Sequence, residues 1–177
     1  MGGHDYSRDG GRRFYCYYNE TRYYMACHKR YESDIFDQES AKLLFHSNHT
    51  LRGENFSFES FENGRFRLYY RDGDDYNLKN YMLFIHKQQD MNNFTPVFHK
   101  NKCSEFILEN TEENNKYYIK ETGNNVYLYL NRYRKRDSNG SGTSYYAGAT
   151  LERNRATKFE FIKLNFFIYK IIKKIPS

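Results

Sequence analysis

Two short basic segments carry the chemistry most easily read from this chain. "NRYRKRDSNGSG" (residues 131–142) and "ERNRATK" (residues 152–158) hold Arg132, Arg134, Lys135, Arg136, Arg153, Arg155 and Lys158, against two acids, Asp137 and Glu152. Guanidinium groups present paired donors that match the oxygens of sulfate and phosphate, and clustered cations build a local positive field. The spacing therefore predicts a polyanion site for sulfate or phosphate groups. The same residues would serve equally as a charged face that keeps the protein in solution. The whole chain carries a net charge of +6 and a pI of about 9.1, so the excess is general as well as local.

Other chemistry is poorly supported. Six His residues invite a metal or a general base. Yet His28 and His86, like His46 and His99, fall at matching places of an internal repeat, which separates them around an axis. No HxxxH, CxxC or GxSxG spacing occurs. The acids of "DGDD" (residues 72–75) lack the closing carboxylate of a calcium loop. A non-enzymatic protein without metal or cofactor is expected.

The elements that must position the cations are read from hairpin signals. In "ENFSFESFENGRFRLYY" (residues 54–70), apolar residues alternate on both sides of Asn63-Gly64, a pair suited to the positive φ angles of a tight turn. The pattern returns at residues 103–120, around Asn114-Asn115. It returns again split between the chain ends, with Phe14 and Cys16 near the start and Phe159 and Phe161 near the close. "FHSN" (residues 45–48), "FHKN" (residues 98–101) and "LERN" (residues 151–154) are evenly spaced, each preceded by an apolar strand. These anchors predict three repeats of roughly fifty residues beginning near Arg13, Arg65 and Lys116, each with about four strands. Helical periodicity is absent, and Tyr, Phe and β-branched residues fill the periodic segments, so the fold class is all-β. Residues 51–53, 71–80 and 132–143 read as loops.

Three units of four strands resemble the β-trefoil superfamily over residues 13–164. The resemblance leans toward the fibroblast growth factors, on Phe14, Tyr15 and Cys16, on Cys103 with Phe106 and Glu109, and on the basic cluster of the third repeat. It implies a growth-factor or cytokine-like ligand that binds heparan sulfate and a cell-surface receptor. Trefoils similar to fascin and hisactophilin imply the alternative, a cytosolic module for filamentous actin. A trefoil lectin ranks third, because the chain has no Trp for the usual lectin motif.

At 177 residues the chain is one domain long. Residues 1–12 read as a flexible segment and residues 165–177 as an apolar and basic tail, which either packs on the barrel or meets a membrane surface. Most of the 19 Tyr and 15 Phe are assigned to the core and its rim, so nucleic acid is not an expected partner. No apolar run is long enough to span a bilayer, and no secretory signal is evident. A monomer is expected, either cytoplasmic or exported by a non-standard route. Five Asn-x-Ser/Thr sequons, at Asn19, Asn48, Asn55, Asn93 and Asn139, keep the extracellular option open. Cys16 and Cys27 read as buried small apolar residues and no disulfide framework is required.

Overall fold

The computed structural model describes residues 11–28, 38–47, 54–72, 76–89, 92–136 and 142–163. Twelve strands form in chain order: β1 (Arg12–Tyr18), β2 (Thr21–His28), β3 (Ser40–His46), β4 (Asn55–Ser60), β5 (Phe66–Asp72), β6 (Met82–Lys87), β7 (Phe94–His99), β8 (Phe106–Asn110), β9 (Tyr117–Glu121), β10 (Val126–Arg136), β11 (Ser144–Thr150) and β12 (Glu160–Lys163). Helical geometry among the described residues is confined to 3-10 turns such as Glu62–Gly64, Tyr76–Leu78 and Arg153–Arg155. The fold is all-β.

Local sequence accounts for the hairpins. In β1, Phe14 and Cys16 point inward while Tyr15 and Tyr17 point outward, the period of two that a half-buried strand requires. Strands β4 and β5 pair with Phe58 opposite Leu68 and Ser60 opposite Phe66. Their turn places Asn63 at φ 65° and Gly64 at φ 73°, and the Phe61 N–H donates to the Arg65 carbonyl at 2.7 Å. Asn115 and Asn125 occupy the same left-handed region in later turns, where a short polar side chain is tolerated. The chain ends meet as well: β1 pairs with β12, with Phe14 opposite Phe161.

All strands join one antiparallel sheet. Its hydrogen-bonded path runs β10, β9, β8, β5, β4, β1, β2, β3, β11, β7, β6, and the further pairing of β10 with β11 closes it. The enclosed core is aromatic. Phe56 stacks on Phe98 at 5.3 Å and Phe58 on Phe66 at 4.1 Å, with Leu68, Leu83, Leu128 and Ile119 filling between. Offset ring packing of this kind adds roughly 0.5–1.5 kcal/mol per pair beyond area burial. Two buried carboxylates are satisfied by backbone: Glu54 accepts the Cys27 N–H at 2.6 Å, and Glu121 accepts the N–H groups of Gly123 and Asn124 at 3.0 and 2.9 Å. Cys16 and Cys27 are buried, and neither forms a disulfide.

The β-trefoil expectation is corrected by this architecture, a closed antiparallel barrel with almost no helix. Strand β3 pairs with both β7 and β11, so the hairpins of the three expected repeats are joined in one ladder. The repeat fails at its third anchor. Phe45 and Phe98 are fully buried, but Leu151 follows the end of β11 and is 52% exposed; the residue opposite Phe45 is Tyr145. Similar four-letter stretches thus occupy different environments. The leanings toward fibroblast growth factors and toward fascin or hisactophilin rested on that superfamily and fall with it.

Two expected loops are also partly strand. Arg71 and Asp72 extend β5, and residues 132–136 extend β10 to 11 residues, because pairing with β11 continues past the turn-like composition. Residues 1–10, 73–75 and 164–177, with the terminal segments and most of the acidic loop, lie outside the described residues, as do the sequons at Asn48 and Asn139. Asn55 is buried and accepts a hydrogen bond from Arg13 Nε at 3.1 Å, so a glycan there would disrupt the fold.

Candidate functional site

The seven cations singled out by sequence do not form one cluster. Strand β10 carries a bulge against β11: Asn131 lies opposite Tyr146, but the next partner of Tyr145 is Lys135. Extra residues in one strand of a ladder must leave the plane of the sheet. Arg132, Tyr133 and Arg134 are those residues, and Tyr133 is 77% exposed. The Asn131 side-chain oxygen accepts the Tyr133 N–H at 3.2 Å and steadies the bulge. Lys135 resumes pairing and is exposed, while Arg136 ends the strand opposite Ser144.

Arg132 donates from Nη2 to the Tyr133 hydroxyl at 2.6 Å. It also borders a recess of about 340 Å³ lined by Tyr17, Tyr18, Tyr129, Tyr133 and Arg155 among others. Arg155 reaches the recess from the Arg153–Arg155 turn and holds its guanidinium 5.4 Å from the centre of the Tyr129 ring. That turn is fastened to β10 by Thr157, whose hydroxyl accepts the Leu130 N–H at 2.7 Å. Arg155 also meets exposed Glu152 at 3.6 Å, a contact of little strength in water. No carboxylate is among the described residues lining the recess.

A further cation stands beside this recess. Arg22 lies over the rings of Tyr15 and Tyr17 at 4.5 and 5.4 Å and donates to the Tyr17 hydroxyl at 2.7 Å. Hydrogen bonds to the Tyr24 and Tyr17 hydroxyls push its pKa up further, so it is a permanent charge. The sequence reading missed it because Arg22 stands alone among tyrosines, far along the chain from the basic segments. Its signal was the alternation of Tyr17, Arg22 and Tyr24 on the outward face of the β1 and β2 hairpin.

Arg153 and Lys158 are paired with carboxylates that the sequence separates from them. Arg153 Nε donates to Glu109 Oε1 at 2.6 Å, and that hydrogen bond pushes the guanidinium pKa up. Lys158 binds Glu112 and, at 2.8 Å, Glu113, both from the turn between β8 and β9. Its hydrogen bond to Glu112 and then that to Glu113 raise the ammonium pKa, and the same ammonium holds both carboxyls below the usual carboxylate range.

Arg134 turns away from the recess. With Lys42 it flanks Tyr146, their charged groups lying 5.6 and 4.6 Å from the centre of that ring, beside a second and smaller cavity.

Two of the His residues that matched in the repeat, His46 and His99, are tied into the fold by hydrogen bonds. His99 Nδ1 accepts the N–H groups of Asn101 and Lys102, and His46 meets the Ser144 hydroxyl. Among the described residues, no group of three or more His, Cys, Asp or Glu is placed to hold a metal ion. None of their helices is long and apolar enough to cross a membrane. No protein-family model matches the chain, and no curated protein matches it.

Proposed function

We propose that the protein is a non-enzymatic binder of a sulfated glycan, and that the recess between Tyr17, Tyr129 and the β10 bulge is its site. The observation that carries this reading is the meeting of Arg132 and Arg155 around a tyrosine-walled recess, with Arg22 at its edge. Sulfates pair with guanidinium forks, and pyranose rings pack against flat aromatic faces. Arg153 and Lys158, which the sequence placed in the same site, are assigned to holding the β8 and β9 turn. A receptor-ligand role and an actin-binding role have no remaining support, since both came from the trefoil resemblance.

The test is retention on immobilised heparin under a salt gradient. Arg132→Gln with Arg155→Gln should release the protein at clearly lower salt, because each lost contact reduces counterion release. Arg153→Gln with Lys158→Gln removes the same charge and should shift release little. Equal shifts from the two pairs would mean that only net charge is being sensed.

A further inference from the structure

Beyond the glycan reading, we infer that the cavity beside Tyr146 binds a small tetrahedral oxyanion ester, of the sugar phosphate or sugar sulfate class. The sheet register assembles its wall. Residues directly opposite each other on neighbouring strands share a face, as do residues two apart on one strand. His86 of β6 lies opposite Thr95 of β7, Val97 of β7 lies opposite Lys42 of β3, and Leu44 of β3 lies opposite Tyr146 of β11. These pairs place their six residues on one face of four strands, with Val97 and Leu44 themselves buried there. Arg134 joins it from the bulge of β10.

The cavity so formed holds about 200 Å³, room for an oxyanion with a small organic group. Lys42, Arg134 and His86 supply cationic or donor groups, with Ser40, Gln88 and Thr95 as further polar positions. Val97 gives an apolar position on this face for the organic part, while Ala41 and Leu43, which also border the cavity, belong to the barrel core. No carboxylate is among the described residues that line it.

Charge makes the argument directional. Lys42 Nζ and the Arg134 guanidinium both sit within cation–π reach of one ring, at 4.6 and 5.6 Å from its centre. Because both cations lie close to one ring, an anion held beside Tyr146 is attracted by both. The guanidinium offers a paired fork and the ammonium a mobile point charge, a combination suited to the several oxygens of a phosphate or sulfate group.

The experiment is calorimetric and NMR titration of the full chain with glucose 6-phosphate, glucose 6-sulfate, inorganic phosphate and unsubstituted glucose. At least one ester should bind saturably and more tightly than inorganic phosphate, and glucose should not bind. A preference between the esters names the source of the anion. Lys42→Gln and Arg134→Gln should each weaken that binding at least tenfold, while Arg132→Gln with Arg155→Gln, which tests the glycan recess, should leave it unchanged. Arg134 lies on an exposed bulge, so its variant keeps the test sound if Lys42→Gln lowers stability. Absence of saturable ester binding, or binding indifferent to both Lys42→Gln and Arg134→Gln, overturns the inference whatever the heparin result.

Discussion

The ring of Tyr129 lies directly over Gly148, its cross-strand partner, so closely that a Cβ on Gly148 would overlap the ring and its hydroxyl. The glycine is there for space, since it lets an aromatic wall of the recess lie flat against β11. Gly148→Ala should destabilise by about 1–3 kcal/mol, the range for overpacking, and should weaken heparin retention by displacing the ring. In a Tyr129→Ala background the same substitution should cost little, because the clashing partner is gone. Urea denaturation of the four proteins measures the coupling, and strictly additive losses would contradict the packing relationship.

At Gly64 the cause is conformation alone. Its φ of 73° is left-handed, and a Cβ there would meet nothing within 4 Å. Gly64→Val should therefore lose about 1–2 kcal/mol from backbone strain, and Gly64→Asn clearly less, since Asn tolerates this region. Thermal unfolding of both variants checks the ordering. A Val variant as stable as the parent would mean that the turn relaxes at no cost.

These two glycines also mark what the sequence could and could not convey. Asn63-Gly64 was legible because a tight turn is a local event, and the inward Phe56 and Phe58 declared the pairing of β4 with β5. Phe14 and Phe161 were legible as partners because the same alternation was split between the chain ends. The role of Gly148 was invisible, since it depends on which residue of β10 stands opposite, and the bulge resets that register. Grouping Arg153 and Lys158 with Arg132 followed from closeness in sequence. Glu109, Glu112 and Glu113 arrive from more than 40 positions away and neutralise two of the cations. Lys42 broke an apolar run visibly enough, but only the pairing of β3 with β11 shows that it reaches the Tyr146 ring that Arg134 also approaches. Leu151 misled for the opposite reason, because a short motif resembled its neighbours while β11 ended before reaching it.

Thiol reactivity should divide the three cysteines. Cys16 is buried, and burial pushes its thiol pKa up to about 12, so very little reactive thiolate exists at neutral pH. Cys27 is equally enclosed, whereas Cys103 is partly exposed. An aromatic disulfide reagent should label Cys103 in the native protein and Cys16 and Cys27 only after denaturation. Rapid native labelling of all three would show that the barrel opens far more readily than its packing implies.

The contact of Lys158 with Glu112 and Glu113 predicts how binding responds to acid. Both carboxyls are held below the ordinary value of 4.5 by the ammonium, chiefly through their hydrogen bonds to it. A carboxyl with a depressed folded pKa contributes stability that is present above its unfolded value and lost as pH falls through its folded value. The window therefore lies below about pH 4.5, and the stability effect is small because both groups are fully exposed. Binding is the more sensitive readout. Once the carboxyls are protonated, Lys158 keeps its charge but loses its partners and becomes available to a polyanion. Retention on dextran sulfate, which has no carboxylates of its own, should rise between pH 6 and pH 3.5. Glu112→Gln with Glu113→Gln should show stronger retention already at pH 6 and a smaller rise on acidification, while Lys158→Gln in the parent should remove that share of the rise. Circular dichroism at each pH separates this from acid unfolding. Identical profiles for the parent and the double Gln variant would show that the two carboxyls do not restrain Lys158 in solution.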